Sequence, residues 1–119
     1  MNIDELLSRY AAGQRDFRHL KLIAVKLRNA VLRQANFSGA DLTSANLSYA
    51  DLSGVKFSDA TLLNAKFCNA NLTHSDFTGA NIAGADFSNA NLNHANFSKT
   101  DLSQANLDQT SLNKAIVPD

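Results

Sequence analysis

Residues 40–54 read ADLTSANLSYADLSG, three near-identical units of Ala, Asp or Asn, Leu and two further residues. Five residues advance about 140° beyond a full helical turn, so the leucines of a continuous helix would spiral around its axis. A continuous strand fails too, because an odd step puts successive leucines on opposite faces. Within one unit, however, Ala and Leu lie two apart and share a face if the chain is locally extended. The pattern predicts a short extended segment, then a turn, with the chain bending the same way each time.

Stepping outward by five from Leu42, every position from Phe17 to Val117 is apolar, 21 of 21, and all seven phenylalanines fall on this register. Two residues before each centre, Ala holds 14 of the 21 positions. Phe17, Phe37, Phe57, Phe77 and Phe97 recur every 20 residues. Leu32, Leu52, Leu72, Leu92 and Leu112 form a pure leucine series, and Leu22, Leu42, Leu62, Ile82 and Leu102 nearly another. The last series, Leu27, Leu47, Phe67, Phe87 and Leu107, places two phenylalanines one period apart. A period of 20 inside a period of five implies four sides per coil, each turning about 90°, with like residues stacked in columns and neighbouring coils roughly 4.8 Å apart. Residues 16–119 then supply about five coils, or roughly 25 Å of solenoid. In such a structure each coil is held by its neighbours.

The A(D/N)LxX pattern resembles the pentapeptide-repeat family, over roughly 100 of the 119 residues. The resemblance implies an all-β solenoid, a right-handed quadrilateral parallel β-helix whose Ala and Leu/Phe positions face inward and whose other three positions face outward. The opening ELLSRYAAGQRDF and the closing AIVPD are similar to cyanobacterial members, one of which regulates heterocyst differentiation. Residues 1–119 are read as a single domain, a capping helix over 3–12 followed by a β-helix over 16–117.

That capping helix follows from the residues themselves. Asn2 and Glu5 have the spacing of a capping box, Ile3, Leu6, Leu7 and Tyr10 give a 3–4 apolar spacing, and Gly13 is a natural stop. Bare coil ends invite association, and the helix is expected to cover the first one. Leu20, Val25 and Ala30 occupy the small slot there, while Lys21, Lys26 and Val31 replace Asp/Asn. The C-terminus offers no such helix, so the coil around Leu102, Leu107 and Leu112 is expected to be poorly covered and to form a homodimer contact.

The formal net charge is zero, but residues 1–34 carry seven Lys/Arg against three acids and residues 35–119 four Lys against eight Asp. This asymmetry orients partners and is weaker than the basic stripe of a nucleic-acid binder; no direct nucleic-acid contact is expected. No apolar run reaches 18 residues, so no membrane span is expected. The N-terminus lacks a secretory pattern, and the lone Cys68 excludes an internal disulfide framework. A cytoplasmic location is the expectation.

Candidate chemistry is sparse. His74 and His94 stand one coil apart in a column with Gln34, Gly54 and Lys114; two imidazoles there could meet a transition metal, yet an outward polar stack is the simpler reading. Asp41, Asp51, Asp76, Asp86 and Asp101 sit in a slot that Asn fills equally often, so hydrogen bonding rather than charge is what the slot requires. No paired carboxyl has the apolar setting that tunes an acid, and Cys68 replaces a Ser with no activating partner beyond Lys66. No catalytic residue, cofactor or metal site is expected. The interaction candidates are the basic residues ringing the first coil, Arg18, Lys21, Lys26, Arg28 and Arg33, together with Tyr49, which stands in an otherwise amide-rich column (Asn29, Asn69, Asn89, Gln109). Exposed Tyr and Arg are favoured contact residues.

These features read as a non-enzymatic scaffold that binds an unidentified protein partner, with a regulatory role as one form of it. The alternative is a DNA mimic acting on a type II topoisomerase, as some pentapeptide-repeat proteins do. Mimicry needs continuous negative charge to match a duplex, and the body here holds only eight Asp against four Lys. A gyrase supercoiling assay separates the two.

Overall fold

The computed structural model describes residues 1–118, which occupy 38 × 20 × 18 Å. One helix, α1 (Ile3–Ala11), opens the chain and ends one residue earlier than its sequence pattern predicts. The Asn2 side chain accepts from the Glu5 amide at 2.8 Å, so one otherwise unpaired helix N–H is satisfied. At the other end, Gly13 takes φ +102°, its amide bonds to the Tyr10 carbonyl, and Gln14 bonds to the Arg9 carbonyl. This is the paired closure that a left-handed glycine permits.

From Asp16 onward there are no long strands among the described residues. Each side contributes a single bridging residue, always the one before the apolar centre, and each bridge is parallel and joins residues 20 apart. The first side runs Asp16, Asn36, Lys56, Asp76, Asn96, Ile116; the second Lys21, Asp41, Thr61, Asn81; the third Lys26, Asn46, Lys66, Asp86, Asn106; the fourth Val31, Asp51, Asn71, Asn91, Ser111. The period of 20 read from the phenylalanines is thus the period of the hydrogen-bond ladder.

Strands this short persist because the turns contribute to the ladder as well. The carbonyl of each centre from Leu22 to Leu112 accepts from the amide three residues on, as Leu42 does from Ala45 at 3.0 Å. The residue two after the centre takes φ near +60°, in the second central position of a type II turn. Its amide then donates along the solenoid axis, as Ser44 does to Leu63 at 2.8 Å. Fifteen non-glycine residues hold this conformation, each against an intrinsic preference of roughly 1–2 kcal/mol. The extra ladder bond and the packed interior offset that preference. Four of the five glycines and all three histidines lie in this slot, which suits residue types that tolerate positive φ.

The interior is filled as the inward positions predict. Phe17, Phe37, Phe57, Phe77, Phe97, Leu32, Leu52, Leu72 and Leu92 are each at most 1% exposed; Leu112, in the final coil, is partly exposed. First-side phenylalanines stack on one another with centroids 4.9–5.9 Å apart. Phe67 and Phe87, from the opposite side, meet them edge to face at 76–88°. Geometry of this kind adds about 0.5–1.5 kcal/mol per pair beyond burial. It gives the two third-side phenylalanines a purpose that the sequence leaves open: they fill the gaps between the rings across the coil.

Among the described residues the ladder has one break. No bridge joins Asn81 to Asp101, the Gly84 amide bonds to Gln104 rather than Ser103, and Gln104 is not at positive φ. Thr100 occupies the Ala slot just before the break, buried, with its hydroxyl donating to the Phe77 carbonyl at 2.6 Å.

Candidate interaction surface

The Asp/Asn slot is a turn device. All 13 Asp or Asn residues in it accept from the backbone amide two residues on: Asp16, Asn36, Asp41, Asn46, Asp51, Asn71, Asp76, Asn81, Asp86, Asn91, Asn96, Asp101 and Asn106. At Asp41, Asp86 and Asp101 these bonds favour the ionised carboxylate. The Thr43 hydroxyl and amide hold Asp41 below the usual carboxylate range, the Ser88 amide does so for Asp86, and the Ser103 hydroxyl and amide for Asp101. Among the described residues no three of His, Cys, Asp and Glu come together, and no helix is long and apolar enough to cross a membrane. His74 and His94 stack face to face with centroids 4.5 Å apart. Cys68 is half-buried, its sulfur 3.5 Å from the Ser88 hydroxyl.

The basic residues of the first coil are spread over four sides. Arg18, on the first, folds back onto Asp16 of its own unit at 2.9 Å, and this guanidinium lowers the Asp16 pKa to about 2. Lys21 stands on the second side beside Asp41, and Lys26 on the third. Arg33, on the fourth, pairs with Asp51 of the next coil. Arg28, also on the third, lies over the Tyr49 ring with its guanidinium carbon 4.7 Å from the centroid. Two residues singled out separately in the sequence are therefore one feature. A cation over an exposed ring is attracted by about 0.5–1 kcal/mol.

Tyr49 holds φ +62° while 50% exposed, in a column otherwise made of amides. A bulky residue at positive φ is an outlier, and this one adds nothing to the core. Val31, 52% exposed, stands in the slot where Asp or Asn would close the turn, and forgoes that bond. Both residues border the corner between the third and fourth sides, flanked by Arg28 and Arg33.

A second departure escapes a reading confined to charge and aromaticity. The slot after each apolar centre holds Ser, Thr or another polar residue almost throughout. Its Ile, Leu and Ala occupants are Ile23, Leu63 and Ala83, all in one column of the second side with Thr43 and Ser103. The period of 20 that groups the Tyr49 and His74 columns groups this one from sequence as well.

A four-sided coil with Leu/Phe and Ala inside and a turn every five residues defines the pentapeptide-repeat class of β-helix. Residues 21–59, 50–89 and 80–117 match the family described as pentapeptide repeats (8 copies), and the chain belongs to that family. It is similar to the crystal structure of alr5209, a pentapeptide repeat protein from Nostoc PCC 7120, at 29% identity over 99% of this chain and 86% of that one, TM-score 0.79. It is also similar to Rfr23 from the cyanobacterium Cyanothece 51142, at 23% identity over 98% and 95%, TM-score 0.74. HetL, a pentapeptide repeat protein involved in heterocyst differentiation regulation from Nostoc PCC 7120, aligns at 31% identity over 97% of this chain and 63% of that one, TM-score 0.36. No curated protein matches the chain. The family's fold is a right-handed quadrilateral β-helix.

Proposed function

We propose that the protein is a non-enzymatic, cytoplasmic β-helical scaffold that binds another protein through the corner formed by Arg28, Tyr49, Val31 and Arg33. The scaffold is one domain of about five coils, closed at its start by α1 and open at its end. The observation that carries the reading is Tyr49: a half-exposed aromatic held at positive φ beneath a guanidinium. The turn requires the positive φ but not an aromatic ring, since Asn or Gln fills the slot elsewhere in the column, so the exposed ring points to a role outside the fold. Tyr and Arg are also the residues through which a few contacts dominate a protein interface. A regulatory role forms part of this reading, on the resemblance of ELLSRYAAGQRDF and AIVPD to cyanobacterial relatives.

The test is quantitative affinity capture from the source organism with wild-type protein, Tyr49→Asn and Arg28→Glu. Tyr49→Asn installs the residue its column prefers, so the fold is kept while the corner is lost. A partner retained by wild type and depleted at least about tenfold on both variants supports the reading. Identical capture profiles for all three proteins reject it.

A further inference from the structure

We propose that the second side is a self-recognition face, across which two copies of this chain pack antiparallel. The occupant is read from the pattern of that face. Its outward columns are Lys21, Asp41, Thr61, Asn81, Asp101 and Ile23, Thr43, Leu63, Ala83, Ser103. Lys21, Ile23 and Asp101 are exposed, and Asp41, Thr43, Thr61, Leu63 and Ala83 half-buried. A two-fold axis lying in the interface along the strand of Leu63 keeps each column opposite itself and reverses its order, as an isologous contact requires. Leu63 then meets Leu63 of the second copy, Thr43 meets Ala83, Asp41 meets Asn81, and Lys21 meets Asp101 at both ends. No like charges face one another. The parallel alternative, with the axis along the solenoid, exchanges the two columns and keeps Lys21 level with Lys21 and Asp101 level with Asp101, so it forms no Lys21–Asp101 pair and is disfavoured for that reason.

The remaining sides lack this symmetry. An antiparallel pairing of the third side sets Lys66 against Lys66, and the first side carries no apolar residue in its outward slots before Ile116. The apolar column is also the departure from the repeat that the fold does not need, since Ser or Thr serves the same slot on every other side.

Size sets the strength. A face up to 20 Å wide, with Lys21 and Asp101 four coil steps or roughly 19 Å apart, the last step crossing the break after Asn81, buries roughly 400 Å² per copy, below the area of a standard stable complex. The dimer is therefore weak and forms in the upper micromolar range. That separation also gives a discriminating test, because Lys21 and Asp101 cannot pair within one chain.

Sedimentation equilibrium from about 10 µM to about 1 mM is expected to show reversible dimerisation of the wild type. Leu63→Ser, the residue the repeat ordinarily places there, raises the dissociation constant at least about tenfold at unchanged Tm. Lys21→Asp and Asp101→Lys each weaken the dimer, and the double reversal restores it to within about threefold of wild type. Val117→Glu, in the final coil, leaves it intact. A strictly monomeric wild type overturns the proposal. So does a dimer that survives Leu63→Ser, a double reversal that fails to rescue, or a dimer lost on Val117→Glu, which would place the contact at the open end.

Discussion

The two ends of the solenoid meet the same physical problem and meet it differently. Each side sends two amides forward to the next coil and one back, so the ladder leaves mainly carbonyls unpaired at its first coil and mainly amides at its last. At the start, α1 covers the coil: Leu6 is fully buried in the common core, and Phe17, Leu22, Leu27 and Leu32 are at most 3% exposed. Side chains replace the missing coil's donors, the Tyr10 hydroxyl reaching the Arg33 carbonyl at 2.9 Å and the Gln14 amide the Asp16 carbonyl at 2.7 Å. At the far end, Leu102, Leu107 and Leu112 are only partly buried, and Ile116 and Val117 are more than half exposed. The amides of Leu62, Phe67 and Leu72 reach the next coil at 2.7–2.8 Å, whereas those of Leu102, Leu107 and Leu112 find no backbone acceptor among the described residues. An identical repeat thus has unequal strength along its length, because each coil is held by its neighbours and the last has one neighbour only.

The largest effect that would break this comparison lies at the covered end. Leu6→Ala removes a fully buried side chain from the contact between helix and first coil, and is expected to destabilise by about 2–5 kcal/mol in denaturant unfolding. Leu112→Ala, the same chemical change in the open coil, is expected to fall below about 1.5 kcal/mol, since much of that side chain is already in water. Equal losses would mean that α1 is dispensable or that the last coil is covered in solution. Next in size is Tyr10→Phe, which keeps the ring and leaves the Arg33 carbonyl without its donor, for about 0.5–1.5 kcal/mol. Hydrogen exchange sharpens the contrast without mutation. The amides of Leu102, Leu107 and Leu112 should exchange at least about a hundredfold faster than those of Leu62, Phe67 and Leu72; uniform protection would count against an open end.

Sequence reasoning reached the interior because one rule, an apolar centre every five residues within a period of 20, is enforced at every step by packing. It also reached α1, whose caps are written in Asn2 and Gly13. It did not reach the break at Asp101, since Thr110, another Thr in the Ala slot, leaves the bridge between Asn91 and Ser111 intact. The outer surface was legible in part. Arg28 and Tyr49 stand out in their columns, but their meeting depends on the rotamers of two long side chains. Arg33 and Asp51 come within reach only once the coil closes, whereas the pairing of Arg18 with Asp16, two residues away, is a local contact that depends on the Arg18 rotamer. The Ile23–Leu63–Ala83 column lies at the same period as the outward columns of Tyr49 and His74, but it carries neither charge nor an aromatic ring, the two signals by which those columns stand out.

The smallest effect compares the first and last aspartates of the turn slot. Asp16, at the covered end, is held to about 2 by the Arg18 guanidinium first and the Arg18 amide second. Asp101, at the open end, is lowered by the Ser103 hydroxyl first and its amide second, with no guanidinium. Both carboxyls return to about 3.9 in the unfolded chain. The folded state therefore binds fewer protons through this window, and stability rises with pH. The contribution is complete above about pH 5 and is lost as pH falls toward about 2. Asn fills the slot at seven other positions with the same turn bond, so Asp101→Asn should leave Tm unchanged at pH 7 and exceed wild type near pH 3. Asp16→Asn should lower Tm slightly at pH 7, through loss of the exposed ion pair, and likewise flatten the acid limb. Both melts are read at low micromolar concentration, where self-association does not contribute. A clear drop in Tm at pH 7 for Asp101→Asn would show that the slot needs charge after all, and would remove the ground for treating Asp and Asn there as one device.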